Sequence, residues 1–228
     1  MNISENVKKV RDVIAEAALR SGREPSDIKL VAASKTKPSH LIRAAIDAGV
    51  DAVGENRVQE MLEKRGEGAY EGAPLHFIGH LQSNKASRIV GVCDLIESVG
   101  SAALLERLGK TAVSLGITQD VLIEVNIARE QQKSGVLPEQ IFEIMDNATL
   151  IKGINILGLM AIPPINDDNE NNCYYFDKML QLFIDISEKK YDNVSMQFLS
   201  MGMSDSYADA IRAGANIVRV GTAIFGER

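Results

Sequence analysis

Short β-branched, apolar runs recur along this chain at near-regular intervals, with helical apolar spacing between them. The runs are Ile28–Ala33, Ala52–Val53, His76–Ile78, Leu95–Ile96, Val121–Ile127, Ile154–Met160, Ser195–Leu199 and Ile217–Val220. Between two pairs of runs, Leu104, Leu105, Leu108, Ala112 and Leu115 form one helical stripe and Phe176, Met179, Leu180 and Phe183 another. Strand and helix together take about 25 residues per unit, which leaves room only for short connections. Eight such units predict an α/β fold, a single (β/α)8 TIM-type barrel over residues 1–228. A doubly wound open sheet is the alternative, because a pattern of runs does not reveal closure.

Two irregularities qualify the repeat. The chain stops at Arg228, too soon after the last run for a full-length eighth helix. An extra N-terminal helix, with Val7, Val10, Ile14 and Ala17 on one face, is expected to cover the resulting gap. The second irregularity is the polar stretch Pro163–Asn172, whose composition predicts a mobile loop rather than a domain linker.

Composition narrows the function classes. The 228 residues are 45% hydrophobic, enough for one sizeable core, and the net charge of −6 is spread over both signs. No basic run suggests a nucleic-acid or anionic-membrane partner. No apolar run reaches the roughly 20 residues that span a bilayer. The start, Met1–Asn2–Ile3–Ser4–Glu5, lacks the features of a signal peptide, so a cytoplasmic location is expected. Cys93 and Cys173 are too few for a disulfide framework and are both expected to be small packed thiols.

In a barrel of parallel strands, functional side chains collect where strands run into the following loops. The first run ends on Lys35, which directs an amine beyond the strand's carboxyl end. The second ends in Gly54–Glu55–Asn56, the third in Gly79–His80, the fifth at Asn126 and the sixth near Met160. The seventh and eighth end in Ser200–Met201–Gly202–Met203–Ser204 and Arg219–Val220–Gly221–Thr222. These last two loops are the usual phosphate position in such barrels. Gly202, Gly221 and Gly226 let backbone approach a ligand, while Ser200, Ser204 and Thr222 add hydroxyls. The plainer reading makes the glycines turn punctuation and Ser204 only the N-cap of a helix starting at Asp205–Ser206–Tyr207.

Arg219 lies among β-branched residues, so its charge needs a partner. A buried ion pair with Glu124 or Glu55 competes with a role facing a ligand. An amine, a phosphate cradle and an arginine together suit pyridoxal phosphate, whose aldehyde, phosphate and ring nitrogen each need one such partner. Burial or a neighbouring cation, with Lys37 the candidate, would free the amine for Schiff-base formation. Of the histidines only His80 is expected near the site; His40 and His76 read as surface or packing residues. No His pair or Cys–His spacing suggests a metal.

The ordered segments Val31–Pro38, Gly54–Glu60, His76–Lys85, Lys133–Gly135, Leu199–Asp205 and Val218–Gly226 resemble the pyridoxal phosphate homeostasis proteins over nearly the whole chain. Arg57 and Ser206 depart from residues frequent in that family. The resemblance implies a barrel similar to the amino-terminal domain of alanine racemase and a Schiff base on Lys35. It further implies phosphate contacts from Ser200, Gly221 and Thr222, with Arg219 at the ring nitrogen and Asn56 as a neighbour.

Two activities follow from such a site. A racemase needs acid/base groups on both faces of its substrate, and none of Tyr70, Tyr174, Tyr175, Tyr191 and Tyr207 has an obvious matching position. An arginine at the ring nitrogen also weakens the cofactor as an electron sink. The expectation is therefore a protein that holds pyridoxal phosphate and supplies or buffers it within vitamin B6 homeostasis. Its partners would be apo-enzymes that use the cofactor, it would act as a monomer, and no residue is singled out as catalytic.

Overall fold

The computed structural model describes residues 2–164 and 169–227. Eight parallel strands close on themselves in chain order: β1 Lys29–Ala33, β2 Ala52–Glu55, β3 Leu75–Phe77, β4 Leu95–Val99, β5 Gln119–Glu124, β6 Ile154–Met160, β7 Val194–Ser200 and β8 Ile217–Val220. The first and last strands pair, with Val31 opposite Arg219, so the sheet is a barrel and the open-sheet alternative falls. The helices are α1 Ile3–Arg20, α2 Ser39–Asp47, α3 Val58–Gly66, α4 Ala102–Ser114, α5 Ile141–Ala148, α6 Asn169–Ser187, α7 Tyr207–Arg212 and α8 Thr222–Phe225. Between β3 and β4 the connection is a 3-10 segment, Ser83–Arg88, rather than an α-helix.

Alternation along the strands makes two cores. Val31, Ala52, Leu95, Leu122, Met160 and Ile217 fill the barrel interior. Residues of the opposite parity, such as Leu30, Ala32, Val53, Phe77 and Ile96, pack outward against the helices. Both faces of most strands are covered, which explains the near-continuous apolar runs; the first half of β7, with Ser195 and Gln197 exposed, is an exception.

α8 has four residues, and α1 packs against α2, α7 and α8. It buries Ile3, Val7, Val10, Ile14, Ala17 and Ala18, the face that the sequence spacing marks. Asn6 Nδ2 donates to the Ile224 carbonyl over 2.8 Å, and Arg23 donates to the carbonyls of Gly214 and Ala215. The N-terminal helix thus fills the place in the outer ring that the short last helix leaves.

Two expectations about side chains are corrected. Leu115 follows the last turn of α4 and is exposed, so the α4 stripe ends at Ala112. Cys93 is packed against Met61, but Cys173 is exposed on α6. Part of the polar stretch 163–172 lies outside the described residues. No helix among the described residues is long and apolar enough to cross a membrane.

Candidate functional site

Barrel closure brings Lys35, Asn56 and Gly221–Thr222 to one arc of the mouth. β1 lies between β2 and β8, so the segments carrying Lys35, Asn56 and Gly221–Thr222 follow three adjacent strands. His80 follows β3, and Ser204 lies in the loop after β7. Two glycines make the arc tight. A Cβ on Gly79 would come within 2.2 Å of the Asn56 carbonyl oxygen, and one on Gly221 within 3.3 Å of the Ala33 carbonyl oxygen.

Lys35 sits in a turn closed by the Lys37 N–H donating to the Ser34 carbonyl at 3.0 Å. Side-chain alternation separates the neighbours: Ser34 is fully buried behind the barrel wall and Lys35 is exposed. The exposure is a correction, since burial was one expected means of freeing the amine. Lys37, the other, gives its ammonium to the carbonyls of Phe225, Gly226 and Glu227 at 3.1–3.2 Å. Thr36 has φ of 63°, in the left-handed region that a turn of this kind normally fills with Gly or Asn. A β-branched residue held there is strained, and such strain gathers at functional sites.

Below the mouth lies a buried polar network that sequence reasoning missed in part. Glu97, fully buried on β4, accepts the Ser200 hydroxyl at 2.5 Å and lies 2.6 Å from His76 Nδ1. Arg219 donates through one terminal nitrogen to Ser200 Oγ at 2.5 Å and through the other to the Ala161 carbonyl at 2.8 Å. Its guanidinium is 3.7 Å from Glu97. The buried ion pair weighed as one reading of Arg219 therefore exists, but with Glu97 rather than with Glu124 or Glu55. Burial pulls the Arg219 guanidinium below its ordinary value, and the charges of Glu97 and Glu124 oppose that pull.

Ser200 is fully buried, and its hydroxyl donates to Glu97 and accepts from Arg219. Ser204 is not the cap of α7, a role that would fall to Ser206, whose hydroxyl instead accepts the Met203 N–H. The Ser204 hydroxyl accepts the N–H groups of Gly221 and Ala223 at 3.2 and 3.4 Å, tying the β7 loop to the start of α8. Gly221 is partly covered and Thr222 exposed, both at the mouth. The side-chain Oδ1 of Asn56 is buried without a hydrogen-bond partner. An unpaired buried carbonyl oxygen costs roughly 1–3 kcal/mol, so a partner is expected there.

On the far side of the mouth a cavity of about 420 Å³ is lined by His80, Glu124, Asn126, Lys133, Ser134 and Ile162, among others. Burial raises the Glu124 carboxyl above its ordinary range, against the Ser134 hydroxyl and the charges of Arg219 and His80. A larger cleft of about 630 Å³ between α4 and α5 shares no residue with the mouth.

The family described as "Alanine racemase, N-terminal domain" matches residues 2–228. A protein of Aquifex aeolicus named pyridoxal phosphate homeostasis protein is 41% identical over 233 residues, covering 100% of this chain and 99% of the relative. A structure of PipY from Synechococcus elongatus with PLP bound superposes with a TM-score of 0.81 at 33% identity, over 93% of this chain and 100% of that one. Alanine racemase of Clostridium difficile shares the fold, with a TM-score of 0.77 at 16% identity, over 100% of this chain and 60% of that one.

Proposed function

Because the chain belongs to the pyridoxal phosphate homeostasis protein family, on the barrel of the alanine racemase N-terminal domain, we propose that it binds pyridoxal 5'-phosphate through Lys35 and supplies or buffers the cofactor in the cell. The observation that carries this reading is the exposed Lys35 amine on an arc that also holds the unpaired Oδ1 of Asn56 and the glycine approach at Gly221. The residues fit the group. Thr222 and Ser204 offer hydroxyls to a phosphate, and Gly221 between the two loops leaves room beside them. Ser200 belongs to the proposal through Arg219, which it holds in place.

When bound, the cofactor supplies an aldehyde that condenses reversibly with an amine, with loss of water. The chain's own residues decide what can be done with it. Arg219 is a permanent cation, held by Glu97 and the Ala161 carbonyl, and a cation at the ring nitrogen opposes protonation there. His80, exposed beyond the end of β3, lines the cavity across the mouth and enters the proposal as a neighbour of the cofactor. A racemase would need a second proton-transfer group facing Lys35. Tyr70 cannot serve, because its hydroxyl is bonded to Glu55 at 3.1 Å behind the barrel wall. We therefore favour a carrier over a racemase.

The proposal includes action as a monomer in the cytoplasm and delivery to apo-enzymes that use the cofactor. Sedimentation at the 24.8 kDa of one chain supports the first, and a dimer mass rejects it. The central test is spectroscopic. Protein mixed with pyridoxal phosphate should gain a visible band that borohydride traps and Lys35→Ala abolishes. Wild-type protein without such a band would overturn the proposal. Activation of an apo-enzyme in the presence of a trap for free aldehyde should then show direct delivery.

A further inference from the structure

Behind the turn that carries Lys35 lies a second polar cluster, on the outer face of the barrel, buried at Ser34, Glu55 and Lys64 and partly open at Glu60. Lys64 of α3 is 7% exposed and donates from Nζ to the Ser34 carbonyl at 3.0 Å and to Glu55 Oε1 at 2.7 Å. It also pairs with Glu60, one helical turn earlier, at 2.7 Å. Glu60 Oε1 in turn accepts the Thr36 N–H at 2.5 Å. Ser34 closes the cluster by donating its hydroxyl to Glu55 at 2.6 Å. One buried ammonium therefore grips the peptide on both sides of Lys35, directly at Ser34 and through Glu60 at Thr36.

The placement of Lys64 is costly by itself. A lysine on the buried stripe Val58–Met61–Lys64 is desolvated and needs its two carboxylates. A salt bridge serving only α3 could sit in water. This one reaches across to the backbone of the β1 turn, whose strained residue is Thr36 at φ of 63°. The left-handed conformation works against a β-branched residue by about the factor that a tenfold equilibrium represents. Something outside the turn has to hold it.

We infer that Lys64 and Glu60 are positioning residues that clamp the Ser34–Lys37 turn and so fix the direction in which Lys35 presents its amine. The inference rests on the reading of Lys35 as the cofactor-bearing residue. Without the clamp the turn relaxes toward negative φ at Thr36 and the amine leaves the arc shared with Asn56 and Gly221. Glycine at position 36 adopts the same conformation at no steric cost, so Thr36→Gly makes the clamp unnecessary.

Two measurements on wild type, Glu60→Ala and the double variant Glu60→Ala/Thr36→Gly test this. Amide hydrogen exchange at the Lys37 N–H, which closes the turn, is read without cofactor. The apparent dissociation constant for pyridoxal phosphate is read from the visible band. Glu60→Ala should speed the exchange and weaken binding, each about tenfold, and Thr36→Gly should restore most of both. Lys64→Met should act in the same direction more strongly; Glu60→Ala is the safer variant because it leaves the Lys64–Glu55 pair intact. Unchanged exchange in Glu60→Ala overturns the clamp, and faster exchange with unchanged affinity overturns its positioning role. Failure of Thr36→Gly to rescue also overturns it, since loss of general stability would not be repaired by glycine there. A wild-type protein with no Lys35-dependent band rejects the cofactor reading instead, and the clamp is then judged by exchange alone.

Discussion

Glu97 and Glu124 are two buried carboxyls near one guanidinium, and their surroundings push them in opposite directions. Burial would raise Glu97, but the hydrogen bond and charge of His76, the charge of Arg219 and the Ser200 hydroxyl together hold it below the ordinary 4.5. Glu124 has only the Ser134 hydroxyl and more distant charges, and burial wins. A carboxyl lowered in the folded state binds fewer protons there than in the unfolded chain. The stability contributed by Glu97 is thus present above pH 4.5 and is lost as pH falls through its folded value. For Glu124 the sign reverses: its contribution is present below 4.5 and is lost as pH rises through its raised value. Glu97→Gln should cost about 3–5 kcal/mol at pH 7, because Arg219 keeps its buried charge without the carboxylate. The deficit should shrink below pH 4.5, and urea midpoints from pH 3 to pH 8 read it. A deficit constant across that range would reject the assignment. Glu124→Gln should be neutral or stabilising at pH 7 in the same assay.

At the scale of elements, α1 carries the clearest stability prediction. Ile14 is 1% exposed on the buried face of α1, so Ile14→Ala should cost about 2–5 kcal/mol by chemical denaturation. A loss under about 1 kcal/mol would mean that α1 only rests on the barrel. This helix was legible in the sequence because its apolar spacing is one-sided. The strands were legible for a related reason, since burial on both faces writes them as apolar runs, and β6 and β8 match their runs at both ends. The fourth strand shows where that signal fails. Its run reads as Leu95–Ile96, yet the strand continues through Glu97 and Ser98 to Val99. The polar residue Glu97, bonded to Ser200, interrupts the apolar pattern and was lost with the strand end. Lys64 was hidden differently. The signal was there, a lysine three residues beyond Met61 on the buried stripe of α3, but only the fold shows that it reaches the β1 turn.

Closure of the barrel is the property of the whole molecule that no run of residues could reveal, and it sets how a ligand should act. Lys35 follows β1, Asn56 follows β2, and Gly221 follows β8, so the candidate site spans the seam where the first and last strands meet. A molecule bound across that seam would join segments from near the two ends of the chain. Opening the ring at any point loosens the seam, so binding should stabilise the barrel as a unit rather than one loop. Thermodynamic linkage gives about 2.7 kcal/mol at a ligand concentration one hundred times the dissociation constant. Pyridoxal phosphate should therefore raise the thermal midpoint of the wild-type protein within a single transition. Pyridoxine 5'-phosphate lacks the aldehyde and keeps the phosphate, so it separates the two halves of the site. It should produce a smaller rise that is equal in wild type and Lys35→Ala, while the extra rise with pyridoxal phosphate should vanish in Lys35→Ala. Equal shifts for both compounds in wild type would mean that the amine adds nothing to the grip. A shift from pyridoxal phosphate that splits the transition in two would mean that β8 and β1 do not unfold together, and that the seam is not the element the ligand holds.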